Sequence, residues 1–155
     1  MSTSPKLESG PSPDAAETRF QVVPGRSVLI ADDHADTRLM LRTILEMHHF
    51  IVLEAADGET AVALTASERP DIVLMDFSLP VLDGLGALRL LKANKVTRDV
   101  PIIFLSGRAE PGPQLAVREA GGDDFLVKPV DLDKMLQLIE RRITPAPRQA
   151  AGENY

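Results

Sequence analysis

Four charged side chains stand directly after short apolar runs of the sequence, where they could meet and do chemistry. Asp32 and Asp33 follow the first of these runs, Asp76 follows the third, and Lys128 follows the fifth. Two carboxylates about 4 Å apart repel by roughly 4 kcal/mol at an effective dielectric constant near 20, and one lysine cannot balance three ionised aspartates. A site built from these groups must therefore keep a proton or bind a hard divalent cation, and its oxygen ligands suit Mg²⁺. A carboxylate oxygen is also a competent nucleophile toward a phosphoryl group.

The apolar runs themselves predict the fold. Most of them are continuous rather than alternating, which is typical of strands covered on both faces of a parallel sheet. The runs are Val28–Ala31, Phe50–Leu53, Ile72–Met75, Val100–Leu105 and Phe125–Val127. A helix-like segment follows each run, so that strand and helix alternate five times. This order predicts an α/β fold of the flavodoxin-like type, a three-layer (βα)5 sandwich around a five-stranded parallel sheet of order 2-1-3-4-5.

One edge of this sheet is the expected place for a site. The carboxyl ends of parallel strands lie together, and ligands bind there beside the point where the strand order reverses. The three aspartates and Lys128 belong to that edge, and Ser106 joins them at the end of the fourth run. Because strands 1, 3, 4 and 5 are contiguous in the predicted order, these groups are expected to surround a single crevice.

Helix boundaries are predicted from capping residues and prolines. Asp36, Asp57 and Asp131 are expected to cap the first, second and fifth helices. The fourth helix is expected to begin late, near Gln114, because the segment 110–113 contains two prolines. In the first helix, the residues expected to share the apolar stripe are Leu39, Thr43, Ile44 and Met47.

Composition limits the classes of protein to consider. The chain has 155 residues, a formal net charge of −6, no cysteine and only 4% aromatic residues. An acidic surface repels phosphodiester backbones, so nucleic acid is not an expected partner, and thiolate chemistry is excluded. No targeting signal and no apolar stretch long enough to span a bilayer is visible, so we expect a cytoplasmic protein without membrane insertion. The polar, Pro-rich and Gly-rich segments 1–25 and 145–155 are expected to be flexible tails around one folding unit at 26–144.

Four sequence motifs in this order resemble those of response-regulator receiver domains. They read VLIADD at 28–33, DIVLMDFSLPVLDG at 71–84, PIIFLSG at 101–107 and DDFLVKPV at 123–130. Each motif alone is a weak signal, but all four fall at receiver-like spacings on the predicted strand ends. The resemblance covers residues 27–142, nearly all of the predicted folding unit.

The resemblance implies a role for each charged group. Asp76 matches the phospho-acceptor, and Asp32 and Asp33 match the acidic pair that positions Mg²⁺, with Asp33 as a direct ligand. Ser78, two residues past Asp76, would offer its backbone carbonyl to the metal. Lys128 matches the lysine that pairs with the phosphoryl group.

The resemblance also implies a switch. Ser106 matches the hydroxyl that bonds the phosphoryl group, and Phe125 matches the aromatic residue that moves with it. Ser78 and Arg108 stand where family members vary and where the lifetime of the phosphoryl group is tuned. The peptide bond that precedes Pro129 is cis in the family. His34 departs from the commonest pattern, in which an acidic residue follows the aspartate pair, and is expected to be a surface or capping residue.

The function implied is that of a stand-alone phospho-acceptor in a His-to-Asp phosphorelay. The donor would be a histidine kinase or a histidine phosphotransfer protein. The output would be an unknown downstream protein that binds a face built from the fourth helix, the fifth strand and the fifth helix, with homodimerisation through that face left open. The domain would catalyse only its own phosphorylation and dephosphorylation and would not otherwise be an enzyme. A phosphorylation-independent interaction module is the alternative, and a turnover phosphatase is disfavoured because Ser78 stands where such enzymes carry a second acid.

Overall fold

The computed structural model describes residues 25–107 and 111–143, which form a five-stranded parallel sheet. The strands are β1 (Ser27–Ala31), β2 (Ile51–Ala55), β3 (Ile72–Asp76), β4 (Ile102–Ser106) and β5 (Asp124–Val127). The helices are α1 (Ala35–Met47), α2 (Gly58–Glu68), α3 (Gly84–Ala93), α4 (Pro111–Glu119) and α5 (Leu132–Ile143). The strand order is β2-β1-β3-β4-β5, which confirms the predicted flavodoxin-like fold.

Residues of each strand alternate between two apolar layers. Leu41 and Leu45 of α1 pack with α5 on one face of the sheet, against strand residues such as Val28, Ile30 and Leu74. The opposite face packs against α2, α3 and α4. The strand residues buried on that side include Leu29, Val73, Met75, Ile102 and Phe104. Every residue of the central strands β3 and β4 is buried, which explains why their sequences are continuously apolar.

Two of the three predicted helix caps are confirmed and one is wrong. The Asp57 carboxylate accepts a hydrogen bond from the Thr60 backbone N–H at 2.7 Å, and the Asp131 carboxylate accepts one from the Lys134 N–H at 3.1 Å. Asp36 does not cap α1, because the extended backbone of His34 starts the helix two residues earlier. Asp36 lies instead in the first turn, where its negative charge still favours the helix N-terminus.

The predicted stripe of α1 is confirmed at Ile44, which packs partly buried against the core, and is wrong at Leu39, Thr43 and Met47, which are exposed. The buried residues of α1 are Leu41 and Leu45, whereas the side chains of Leu39 and Met47 are 63% and 70% exposed. Both sets recur at spacings of four residues, so helical periodicity alone fits either face. Packing of α1 against the sheet selected Leu41 and Leu45.

The fourth helix begins earlier than predicted. It starts at Pro111 rather than near Gln114. Both Pro111 and Pro113 lie in the first turn, where backbone N–H groups have no partner within the helix and proline therefore removes no hydrogen bond.

Some sequence predictions cannot be compared with the structure. The predicted tails at 1–25 and 145–155 lie outside the described residues, apart from Gly25. Among the described residues, no helix has the length and apolar character needed to cross a membrane.

Candidate functional site

The carboxyl edge of the sheet gathers the predicted site residues. Asp32 follows the last residue of β1, Asp76 ends β3 and Ser106 ends β4. Lys128 follows the last residue of β5. Pairing of β3 with β4 aligns Asp76 with Leu105, so Ser106 lies one residue further along the neighbouring strand. Parallel pairing therefore brings together side chains that lie up to 96 positions apart in the sequence.

Lys128 bridges two buried aspartates. Its Nζ donates a hydrogen bond to Asp32 Oδ2 at 3.1 Å and lies 3.4 Å from Asp76 Oδ2. The side chains of Asp32 and Asp76 are 1% and 7% exposed, whereas the Asp33 side chain is 37% exposed. One ammonium thus serves two buried carboxylates, and a third carboxylate stands at the mouth of the site.

Burial and neighbouring charges shift the ionisation equilibria of Asp76 and Lys128. Burial raises the pKa of the Asp76 carboxyl, although the N–H of Ser78 and the charge of Lys128 act in the opposite direction. Asp32 adds repulsion, which also raises the pKa of Asp76. Burial by itself lowers the pKa of the Lys128 ammonium, but its contacts with Asp32 and Asp76 outweigh burial, so that its pKa is raised. Burial therefore keeps a proton on Asp76 up to a higher pH than usual, and Lys128 stays protonated.

The donor atoms at the site fit a divalent cation. Asp32, Asp33, His34 and Asp76 each place one ligand atom within 4.8 Å of the others. The three carboxylates and Lys128 leave two negative charges uncompensated, which a divalent ion neutralises. Carboxylate oxygens are the ligands that Mg²⁺ prefers, so the residues present fit the metal that the family resemblance implies.

The β3–α3 loop is held in place from two sides. Ser78 donates its backbone N–H to Asp76 Oδ1 at 3.2 Å, and the Asp83 carboxylate caps α3 through the Gly86 N–H at 2.8 Å. At Gly84, an added Cβ would lie 2.6 Å from the Asp76 carbonyl oxygen, so the start of α3 lies directly against the backbone of Asp76. The loop that carries Ser78 is therefore fixed relative to Asp76.

Two sets of contacts that support the site were not predicted from the sequence. Arg38 donates from Nη1 to the Asp32 carbonyl oxygen at 2.8 Å and from Nε to Glu54 at 2.9 Å, which ties the acidic pair to the edge strand β2. His34 is exposed and is the N-cap residue of α1, which confirms the prediction of a surface or capping residue, but the contact of its ring with Asp32 and Asp33 was not predicted. Its position directly after the acidic pair was the only signal in the sequence. The position of Arg38 on its helix gave no signal, because its partner at the site is the backbone carbonyl oxygen of Asp32.

The predicted switch residues lie beside the acidic site. Ser106 is buried, and its carbonyl oxygen accepts a hydrogen bond from the Lys128 N–H at 2.7 Å. Phe125 is half-buried, and its ring centroid lies 6.4 Å from that of Phe77, the residue after Asp76. The Lys128–Pro129 bond is cis, as the resemblance implied. Arg108 lies outside the described residues.

The sequence of the chain is similar to those of receiver domains and of transcriptional regulators. The family model of the response regulator receiver domain matches residues 28–140. The chain is 35% identical over 132 residues to the phosphate regulon transcriptional regulatory protein PhoB of Pseudomonas aeruginosa, covering 83% of the chain and 58% of that protein. A probable transcriptional regulator of Guillardia theta is 37% identical over 122 residues, covering 77% of the chain and 47% of that protein. The chain thus spans about half the length of these relatives.

Solved structures show the same fold. The receiver domain of a sensor histidine kinase from Pseudomonas aeruginosa PAO1, with a magnesium ion coordinated in its active site cleft, matches with a TM-score of 0.72 and 34% identity. The match covers 77% of this chain and 98% of that one. A chemotaxis response regulator of Vibrio cholerae matches with a TM-score of 0.71 and 26% identity, over 76% of this chain and 98% of that one.

Proposed function

The chain belongs to the response regulator receiver domain family, and on that premise we propose that Asp76 accepts a phosphoryl group from a phosphohistidine in the presence of Mg²⁺. The observation that carries the proposal is the bridging position of Lys128, 3.1 Å from Asp32 and 3.4 Å from Asp76. A domain that only binds a partner gains nothing from three crowded carboxylates and one shared lysine, since the crowding costs stability. The donor is a histidine kinase or a histidine phosphotransfer protein.

The transfer uses groups that the chain already holds in place. A carboxylate oxygen of Asp76 forms a bond to phosphorus while the phosphorus–nitrogen bond of the donor breaks, and the leaving imidazole takes up a proton from solvent. Bound Mg²⁺ supplies positive charge to the phosphoryl oxygens and to the reacting carboxylate. Lys128 adds a second positive charge at the same edge. Asp32, Asp33 and Asp76, with the backbone carbonyl of Ser78, would hold the metal. The product is an acyl phosphate at Asp76.

The response to this modification is a shift between two packings. We propose that the phosphoryl group draws the Ser106 hydroxyl toward it, that Phe125 follows, and that the surface of α4, β5 and α5 repacks. To change a 1:99 population ratio to 99:1, the modification must favour the active packing by roughly 5.5 kcal/mol. Contacts of a dianionic group with Mg²⁺, Lys128 and Ser106 have the strength to supply this difference. A downstream protein in the cytoplasm then binds this face. The domain itself does not contact nucleic acid.

Catalysis in this proposal is limited to the domain itself. Hydrolysis of the acyl phosphate returns Asp76 to its carboxylate and ends the signal. A phosphatase acting on other molecules needs a general acid near the nucleophile, and Ser78, two residues past Asp76, cannot serve as one. Release of phosphate from small esters over many turnovers would contradict this part of the proposal.

The test is phosphorylation of the full chain by acetyl phosphate and by a phosphohistidine donor with Mg²⁺. Mass spectrometry is expected to find a labile phosphoryl adduct on Asp76. The adduct should be absent from Asp76→Asn and present in Asp99→Asn, a matched change at an exposed aspartate. Failure to form the adduct in the unaltered protein, under conditions where a known receiver is modified, would overturn the proposal.

A second measurement separates a switch from a phosphorylation-independent module. Beryllofluoride with Mg²⁺ mimics the acyl phosphate, and NMR of the backbone amides follows the α4 and β5 residues. We expect shifts at Phe125 and along α4 in the unaltered protein but not in Asp76→Asn. If these spectra, and the amount of partner protein that binds the domain, are the same with and without beryllofluoride, the domain is a phosphorylation-independent interaction module.

A further inference from the structure

His34 occupies a helix-capping position but does not use its side chain to cap. It is the N-cap residue of α1, with extended backbone angles, and its side chain makes no capping hydrogen bond. Instead the imidazole Nδ1 lies 3.1 Å from Asp32 Oδ1 and 3.2 Å from Asp33 Oδ1. The His34 backbone N–H also donates to Asp32 Oδ1, at 2.8 Å, which fixes the position of the residue relative to the acidic pair.

These separations match those of neighbouring ligands around one metal ion. In an octahedral site with metal–ligand bonds of about 2.1 Å, adjacent ligand atoms lie about 3.0 Å apart. Nδ1 of His34 meets this spacing to both aspartates, and Asp76 offers an oxygen within 4.8 Å of the same atoms. A neutral imidazole adds a donor without changing the charge of the site, which a divalent ion already balances.

We propose that His34 Nδ1 is an additional ligand of the metal site and that the site consequently prefers a divalent first-row transition ion, such as Mn²⁺ or Ni²⁺, to Mg²⁺. The inference rests on the proposed function for the presence of a metal at this edge of the sheet. Mg²⁺ prefers oxygen ligands, so an imidazole adds little to its affinity. An imidazole strengthens the binding of transition ions, and the effect increases from Mn²⁺ through Co²⁺ to Ni²⁺. The His34 ring is 68% exposed, so it stands at the mouth of the site and can turn toward an arriving ion.

The competing explanation is that His34 only donates a hydrogen bond to the carboxylates. In that arrangement the proton on Nδ1 occupies the space that a metal needs. Removal of the imidazole would then strengthen the binding of every divalent ion to a similar extent. Ligation by His34 predicts the opposite, a loss of affinity that is confined to transition ions.

The first test is calorimetric titration of the full chain with Mg²⁺, Mn²⁺ and Ni²⁺ separately. His34→Asn is the test variant, because asparagine is a preferred N-cap residue and preserves the start of α1. His49→Asn is the matched control, since His49 is exposed and asparagine tolerates its positive φ of 71°. We expect His34→Asn to weaken Ni²⁺ binding about tenfold or more and to change Mg²⁺ binding less than about threefold, with no change in His49→Asn. Equal effects on all three ions in His34→Asn would overturn the proposal.

The second test detects the nitrogen directly. Pulsed electron paramagnetic resonance of bound Mn²⁺ reports nuclear coupling to a ligating imidazole nitrogen. We expect this coupling in the unaltered protein and in His49→Asn, and its absence in His34→Asn. Bound Mn²⁺ without nitrogen coupling in the unaltered protein would overturn the role of His34 alone, whereas failure to bind either Mg²⁺ or Mn²⁺ would overturn the metal requirement of the proposed function.

Discussion

Replacement of Asp76 by asparagine is expected to stabilise the protein in the absence of divalent cations. Ligand atoms of Asp32 and Asp33 lie within 4.8 Å of one on Asp76, and at that separation each such pair repels by about 3.5 kcal/mol at an effective dielectric constant near 20. Attraction between Lys128 and Asp76, at 3.4 Å, offsets this repulsion by about 5 kcal/mol at the same dielectric constant. Asparagine keeps an oxygen for the Ser78 N–H, and Lys128 keeps its closer partner Asp32. The net gain in the free energy of unfolding is therefore about 2 kcal/mol.

The measurement is urea denaturation followed by circular dichroism, at pH 7 with EDTA. A gain of this size moves the midpoint upward by about 0.5–1 M urea. Saturating Mg²⁺ should reverse or remove the difference, because ligand at about 100 times its dissociation constant adds about 2.7 kcal/mol to a protein that binds it. Because Asp76→Asn has lost a metal ligand, Mg²⁺ raises its free energy of unfolding by less.

The pH dependence follows from the raised pKa of Asp76. Burial raises this pKa above its value in the unfolded chain, so the folded state holds its proton more tightly. The stability that Asp76 contributes in its neutral form is complete below the unfolded pKa of about 3.9 and is lost as the pH rises through the higher folded pKa. The advantage of Asp76→Asn should therefore be small at low pH and full at pH 7.

A matched variant checks that the effect belongs to the site. Asp99→Asn removes the same charge from an exposed position, and we expect it to change the free energy of unfolding by less than about 0.5 kcal/mol. If Asp76→Asn unfolds at the same urea concentration as the unaltered protein, or at a lower one, the carboxylates are not crowded and the electrostatic argument for a metal is wrong.

Three further substitutions test the surroundings of the site by thermal or urea denaturation. Val81 is exposed with a φ of 70°, which strains a β-branched residue, so Val81→Asn should stabilise by about 0.5–1 kcal/mol; a loss of stability would contradict this. An added Cβ at Gly58 would lie 1.7 Å from the Leu82 carbonyl oxygen, so Gly58→Ala should destabilise by about 2 kcal/mol or more, and a neutral effect would show that the loop moves freely. Lys128→Met leaves Asp32 buried without its cation and should cost about 3 kcal/mol with EDTA and less with Mg²⁺; equal stability would refute the bridge.

The sheet could be predicted because its signal is local. Continuous apolar runs, each followed by a helix-like segment, indicated buried parallel strands, and the strand order followed from the fold class. Strand ends then located the candidate site, because parallel strands all present their carboxyl ends at one edge. The prediction placed Asp32, Asp76 and Lys128 together for this reason, although Lys128 lies 96 positions from Asp32.

Features that depend on packing were predicted wrongly or missed. Leu39 and Leu41 were equally good candidates for the buried face of α1, and contact with the sheet decided between them. Pro113 suggested a late start for α4, but the helix accommodates both prolines in its first turn. Arg38 could not be identified because its partner at the site is a backbone carbonyl, which every residue possesses.

The sequence by itself determined the fold class, the strand order and the set of charged groups at the carboxyl edge, because these depend on hydrophobic periodicity and residue type along the chain. The tertiary structure decided how those groups share charge. It placed one lysine between two buried aspartates and turned the side chain of His34, the N-cap residue of α1, toward the acidic pair. Distances and burial set the strength of an electrostatic interaction, and neither quantity exists until the strands are side by side.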